Sequence, residues 1–290
     1  IFIMIRKIRN KSFKEIRERI DYLFGFGFLE RSFYSNWFNP FLTLWLNLRS
    51  FPLYQAYRFP IFVYGRPRIY GLSGCMEIIG RVSTGMIKFN QTKPGAPSNM
   101  DVQSEIQNRG KIFFRGKGFI GTGTKINVML NATLDLGENF KITDMCNVGC
   151  FSRILIGTQS RITHRCQILD ANYHYVANFK KGIIPRWTHP IEIGRGCWIC
   201  NTTTITGGTV LPDFTIVASN SLVGKDYSDI PESSMIGGIP AKLIATGFRK
   251  VENSKIECQV TSYYRENPDG LYHMSENETM DNCSFVNKFK

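Results

Sequence analysis

The chain has 290 residues, 43% of them apolar and 13% aromatic, which suffices for a sizeable core and excludes a disordered protein. Its formal charge is +13, and +8 of that lies in residues 1–68, where twelve Lys and Arg stand against four Asp and Glu. Eight cysteines in a chain of this length are too sparse for a disulfide scaffold and read as reduced thiols of a cytoplasmic protein.

The N-terminus lacks the ordered basic, apolar and small-residue regions of a secretory signal, so secretion is not expected. Between Phe13 and Phe28, apolar Phe13, Ile16, Ile20, Leu23 and Phe24 fall at helical spacing with charged residues between them, which predicts a basic amphipathic helix. Such a helix has two readings: peripheral contact with an anionic membrane, or packing against a neighbouring domain. The apolar run Phe41–Leu48 is far too short to span a bilayer. Residues 1–59 are thus an N-terminal extension. From Pro60 the pattern changes to short β-branched and aromatic runs at residues 61–64, 68–70, 76–79 and 86–89, which predict strands. Residues 91–110, with their Pro and Gly punctuation, read as a loop excursion, and the last stretch, 251–290, reads as a polar tail.

The most informative feature is a period. Ile193, Ile199, Ile205, Leu211, Val217 and Val223 recur every six residues, and Cys197, Thr203, Thr209, Thr215 and Ser221 follow four places behind. On an α-helix a six-residue step rotates the side chain by roughly 240°, scattering the apolar residues around the axis. A single strand cannot run that far without a turn. A parallel β-helix resolves both objections: each hexapeptide makes one short strand and one corner, and three of them make a triangular coil. Strands then pair about eighteen residues apart, stacking Ile193 under Leu211 and Ile199 under Val217. The period continues upstream in broken phase through Ile120, Ile126, Leu136, Ile142, Val148, Ile156, Ile162 and Ile168. The gap from Ile168 to Ile193 exceeds what a coil needs, so residues 170–190 are expected to project as a loop.

Three ordered segments accompany the period: Ile191-Glu-Ile-Gly-Arg-Gly-Cys-Trp-Ile-Cys200, Ser219-Asn-Ser-Leu-Val-Gly-Lys-Asp226 and Gly237-Gly-Ile-Pro-Ala-Lys242. In them the chain resembles the hexapeptide-repeat acetyltransferases, which include galactoside, maltose, xenobiotic and capsular-polysaccharide sugar acetyltransferases. Cys200, Ser219, Gly224 and Ile239 depart from that family's Gly, Ala, Thr and Asn. The resemblance spans about residues 60–250 and implies an all-β fold, a left-handed parallel β-helix. It also implies an acetyl-CoA co-substrate, no metal, and a homotrimer with the CoA slot between neighbouring coils; whether a neighbouring subunit completes the site stays open.

Acetyl transfer to a hydroxyl or amine needs a base, and histidine suits that task near neutral pH. The chain has four. His273 lies in the tail, His164 sits inside a regular coil, His189 immediately precedes one, and His174 lies in the projecting loop within Asp170-Ala-Asn-Tyr-His-Tyr175. The family's catalytic histidine occupies a similar Asp-x-x-x-His segment, so the resemblance selects His174, with His189 as runner-up. Asp170 has two readings: it orients the imidazole or holds the acceptor hydroxyl, or it is a corner aspartate bonding its own backbone. The resemblance carries CoA contacts onto Trp198, Asn201 and Ser219 along the pantetheine arm and onto Lys225 and Lys242 toward the phosphates. The alternative readings are Trp198 as a cap on the coil edge and either lysine as solvated surface.

Cys197-Trp-Ile-Cys200 lacks the second pair of a zinc ribbon and reads as corner filling. A zinc-dependent carbonic anhydrase on the same coil needs a pair of histidine ligands five residues apart, which His164, His174 and His189 do not supply. The expected function is O-acetylation of a sugar, such as a surface polysaccharide or its precursor. N-acetylation of an amino sugar or antibiotic, or a non-catalytic scaffold, stands as the alternative. Tyr173, Tyr175 and Trp187 are candidates for stacking on a sugar ring. Nucleic acid is disfavoured as a partner, because no binding motif accompanies the basic residues.

Overall fold

In the computed structural model, Ser12 and residues 36–92, 102–276 and 278–284 are described. The helix expected over residues 13–28 lies outside them. The rest forms three sheets of nine, seven and six strands, and up to the closing hairpin each strand pairs with the third strand along the chain. That order is a three-sided parallel coil, the left-handed β-helix of the sequence reading. The first sheet runs from Ile61–Val63 through Trp198–Ile199 and Ile216–Val217 to Ala241–Thr246, the second from Arg68–Tyr70 to Leu222–Val223, and the third from Cys75–Ile78 to Val210–Leu211.

The register follows the period. Ile193 pairs with Leu211, Ile199 with Val217 and Ile205 with Val223. Upstream, Ile120 pairs with Ile142, and Ile142 with Ile162, so the phase slips are absorbed at corners and the columns stay intact. These aliphatic side chains are at most 2% exposed. The small residues that trail them close the corners: buried Thr209, Thr215 and Ser221 each donate a hydroxyl hydrogen bond to the carbonyl three residues back, at 2.7–2.8 Å. A turn carbonyl that would otherwise be stranded in the interior is thereby satisfied.

The strands predicted near residues 61, 68, 76 and 86 are present as Ile61–Val63, Arg68–Tyr70, Cys75–Ile78 and Ile87–Phe89. The loop reading of residues 91–110 needs correction, because Glu105–Asn108 is a strand pairing with Arg68–Tyr70 and Lys125–Val128. Its alternation is half polar: Ile106 is buried on the aliphatic column, and so is Asn108. The Asn108 amide donates to the Cys75 carbonyl at 3.0 Å and its oxygen accepts from the Gly110 N–H at 3.1 Å, so a residue that reads as turn punctuation is an interior corner.

A coil has open backbone edges only at its ends. The first is covered by helix α1 (Pro40–Ser50), capped by Asn39, whose side chain accepts from the Leu42 N–H, and by the short helix α2 (Leu53–Ala56). Side chains replace the missing strand there. Asn47 exchanges two hydrogen bonds with the backbone of Ile61, at 2.7 and 3.0 Å, and the Thr43 hydroxyl accepts from the Val63 N–H. Gln55 makes the same paired contact with Ile78, at 2.8 and 2.9 Å. Beneath them Phe51, Phe114 and Phe140 stack with centroids 6.4 and 6.1 Å apart. At the other end Ser234–Gly238 and Ala241–Thr246 form the one antiparallel pair among the described strands, and the buried Tyr227 hydroxyl donates to the Ala241 carbonyl at 2.9 Å. Helices α3 (Ser254–Glu266) and α4 (Met280–Ser284) follow within the polar tail.

Ile199 is fully buried between Ile162 and Val217 in a column that cannot collapse without shifting paired backbone. Ile199→Ala is expected to lower the unfolding free energy by about 2–5 kcal/mol, measured by denaturant titration.

Candidate active site

The 170–190 segment leaves the coil after Gln167–Leu169 and returns at Ile191–Ile193. Its neck is narrow: the His189 N–H donates to the Asp170 carbonyl at 2.8 Å, the Asn172 N–H to the Trp187 carbonyl at 3.0 Å, and Ala171 bridges Thr188. Gly207 lies directly above that neck, where a β-carbon would come 2.9 Å from the His189 carbonyl and 3.0 Å from that of Asp170.

Asp170 is fully buried at the start of the loop, and its two oxygens accept from the N–H groups of Phe151 and Ser152 in the coil below, at 2.7 and 2.8 Å. Burial pushes its pKa up, while those backbone N–H groups pull the other way. The carboxylate therefore holds the corner by bonding the backbone of the coil below, where the second reading expected its own.

His174 is exposed, three residues beyond the neck. Tyr173 and Tyr175 flank it, and both belong to an aromatic floor. The Tyr173 ring meets Phe151 edge-on at 4.8 Å, Trp187 meets Phe151 at 5.4 Å, and Tyr175 tilts against Trp187 at 6.1 Å. Tyr173 has a left-handed backbone, φ +63°, which a non-glycine residue adopts at a cost and which reverses the chain just before the imidazole. Gly149 makes room beneath: a β-carbon there would lie 2.9 Å from Leu169 Cδ2 and 3.2 Å from the Tyr173 hydroxyl. His189, also exposed, stands at the neck.

The five candidate CoA contacts divide between places. Asn201 and Ser219 occupy equivalent corners of successive coils between the first and second sheets, where the Asn220 N–H donates to the Asn201 carbonyl at 3.0 Å. The Thr202 hydroxyl donates to the Asn220 side-chain carbonyl on the same edge. Lys242 lies just above in the closing hairpin, paired with Gly237, and the Gly238 N–H donates to the Ser221 hydroxyl at 3.1 Å. Trp198 lies on the first sheet, its ring covered by the Lys250 ammonium at 5.7 Å. Lys225 sits at the next corner, its ammonium 4.8 Å from the Tyr227 ring centroid. Asn201, Ser219 and Lys242 are thus brought together, whereas Lys225 is separated from them by the second sheet.

The edge reveals a residue that sequence reasoning set aside. Thr122, Asp144, His164, Asn201 and Ser219 form one column, the first four each accepting through the carbonyl from the N–H of the residue that follows the next member. His164 Nδ1 is buried without a hydrogen-bond partner. Burial pushes its pKa down, Arg165 adds to this, and Asp144 opposes it. All eight cysteines are free. Burial raises Cys197 to about 12 and Cys200 to about 11, so this pair is kept as inert thiol. Among the described residues no group of three or more His, Cys, Asp or Glu is arranged to hold a metal ion.

Two predictions follow from the supports of this site. Asp170→Ala strands two backbone N–H groups and is expected to cost about 1–3 kcal/mol in a thermal or denaturant melt, with proteolysis of the 170–190 loop accelerated. The second concerns Glu252, which clamps the segment over Trp198 through Arg161 at 3.1 Å and Lys250 at 2.5 Å. Burial pushes its pKa up, but Lys250 and Arg161 hold it below the usual carboxylate range. A carboxyl whose pKa is lower folded than unfolded stabilises fully above its unfolded value and loses that contribution as pH falls through the folded one. The difference in melting temperature between wild type and Glu252→Gln should therefore be largest near neutral pH and shrink on acidification.

No family model matches the chain. It is 25% identical over 183 residues, 60% of this chain and 89% of the relative, to the Escherichia coli K12 protein named "Putative lipopolysaccharide biosynthesis O-acetyl transferase WbbJ". Two solved structures are also similar: the polySia-specific acetyltransferase NeuO (15% identity, 70% of this chain and 98% of that one, TM-score 0.44) and the polysialic acid O-acetyltransferase OatWY (16%, 72% and 99%, TM-score 0.43). In its six-residue period, its three-sided parallel coil and its three ordered motifs, the chain is similar to the hexapeptide-repeat acetyltransferases.

Proposed function

We propose that the chain O-acetylates a sugar of a surface polysaccharide or its precursor, taking the acetyl group from acetyl-CoA with His174 as general base. The observation that carries this reading is an exposed imidazole set between two tyrosines on a floor of aromatic rings. Tyrosine and tryptophan faces pack against the apolar face of a sugar ring and leave its hydroxyls free to reach a base. The relative in lipopolysaccharide biosynthesis supports the choice of a saccharide acceptor.

In this mechanism His174 removes the proton as the acceptor oxygen attacks the thioester carbonyl. A new carbon–oxygen bond forms, the carbon–sulfur bond breaks, and the proton held on the imidazole passes to the departing sulfur. The role of Asp170 is positional, since it anchors the loop that carries His174. Asn201 and Ser219 line the edge that would receive the pantetheine arm, with Lys242 at its end for the phosphates, which suits an extended ligand rich in amides. Lys225 lies across the second sheet, and a homotrimer accounts for that separation: the loop of one subunit meets the edge of another. The loop tip fits such a contact, with Phe179 93% exposed. The reading puts the enzyme in the cytoplasm, where its thiols stay reduced, at the inner face of the membrane.

Acetyl-CoA turnover, followed as thiol release over a panel of sugar acceptors, tests the proposal. His174→Ala is expected to lower kcat by about 10²–10⁴-fold, with the fold retained by circular dichroism. Wild-type turnover in His174→Ala, or its loss in His189→Ala alone, would overturn the assignment.

A further inference from the structure

Helix α1 is built inside out. Its residues facing the coil are Thr43, Leu46, Asn47 and Ser50, three of them polar, and all are buried. The opposite stripe, Phe41, Leu44, Trp45 and Leu48, stands at the i, i+3, i+4, i+7 spacing of one helix face and is exposed, Phe41 to 81%. Leu53 and Tyr54 of α2 prolong it at 76% and 62% exposure. Ordinary amphipathic helices put the apolar stripe against the core, and single exposed apolar residues need no explanation, but a continuous stripe of this kind marks an interaction surface.

The charges around it select the partner. From Asn36 to Met76 the chain has no Asp or Glu, while Arg49, Arg58 and Arg66 are exposed on the same end of the coil. An apolar face carrying Trp and Tyr, rimmed by cations alone, matches the boundary between lipid tails and anionic headgroups. The chain's own residues 1–35 are the competing cover, but they carry eight Lys and Arg against four Asp and Glu, the wrong sign for an arginine rim. Among the described residues no helix is long and apolar enough to cross a membrane, so contact through this surface lies along the bilayer plane.

We infer that the α1–α2 end of the coil is a docking surface for an anionic lipid bilayer, with Phe41, Leu44, Trp45 and Leu48 entering the interface and the arginine rim meeting the headgroups. This sharpens the inner-membrane placement proposed above and does not depend on His174 or on the identity of the acceptor. Docking by a coil end sets the coil axis at a steep angle to the membrane and holds the 170–190 loop above it, in reach of a saccharide carried on lipid.

The test is co-sedimentation of the full chain with vesicles of phosphatidylcholine alone or with added phosphatidylglycerol, together with tryptophan emission. Binding is expected to need phosphatidylglycerol, to weaken with salt, and to shift the emission to the blue. Leu44→Ser with Trp45→Ser and Leu48→Ser should weaken binding about tenfold or more while leaving turnover of a soluble acceptor unchanged. Arg49→Glu with Arg58→Glu, which leaves the stripe intact, should remove the phosphatidylglycerol preference. Wild-type affinity in both variants would overturn the proposal. So would absence of vesicle binding combined with a smaller oligomer in the serine variant by analytical ultracentrifugation, since a second copy would then cover the stripe. Loss of turnover in His174→Ala with vesicle binding intact separates this inference from the catalytic one.

Discussion

Parallel backbone pairing between each coil and the next is the interaction on which the rest of the molecule depends. Because the register is in phase, every side chain sits over its equivalent in the neighbouring coil, as Ile193 does with Leu211 and Ile162 with Ile199. One position in the hexapeptide therefore becomes three columns in the protein, one on each face of the coil. Aliphatic columns make the core, the hydroxyls of Thr209, Thr215 and Ser221 seal three successive corners, and a left-handed column turns the chain at Met145, Arg165, Thr202 and Asn220, with φ of +56° to +58°. The same rule applied to a polar position produces the column Thr122, Asp144, His164, Asn201 and Ser219. The edge proposed for CoA is thus a by-product of the repeat rather than an addition to it.

This constraint also decides where an insertion is tolerated. A residue added within a strand would move the next aliphatic side chain off its column, because strand neighbours face opposite ways. A residue added at a corner moves nothing, provided the chain leaves and re-enters at the same point. The 170–190 loop meets that condition through the hydrogen bond joining His189 to Asp170 and through the Asp170 carboxylate, which ties the exit to the coil below. Leu155 and Glu192 then pair as though the excursion were absent. A rigid scaffold with a loop pinned at its neck is a favourable place for chemistry, since the scaffold fixes position and the loop supplies side chains the repeat cannot.

The period alone made the columns and the projecting loop legible, down to the pairing of Ile199 with Val217. His164 was legible too: it stands two places after Ile162, as Asn201 does after Ile199 and Ser219 after Val217, and that shared offset assigns all three to one edge. Judging it as a lone histidine inside a coil hid this. What the pattern does not encode is which of two polar tasks a residue performs. Asp170 and Asn108 both resemble surface or turn residues, and both spend their side chains on backbone groups of another coil. That demand arises only once the coils are stacked. Trp198 shows the same limit, for the Lys250 that covers it lies fifty-two positions away on a segment with no repeat.

The two ends of the coil face one problem and solve it differently, and the difference accounts for helix α1. A parallel coil ends in strands with unpaired N–H and C=O groups, which an apolar helix face cannot satisfy. At the far end the chain folds back as the antiparallel pair Ser234–Gly238 and Ala241–Thr246, and backbone satisfies backbone. At the near end Thr43 and Asn47 of α1 and Gln55 of α2 supply the donors and acceptors instead. Spending the inward face on polar side chains leaves an amphipathic helix only its outward face for apolar ones. The hydrogen bonds that close the coil at Ile61 and Val63 come from Asn47 and Thr43, and polar residues in place of Leu44, Trp45 and Leu48 would leave them intact. Their chemistry is therefore addressed to something outside this chain's own core, and the arginines beside them state its charge.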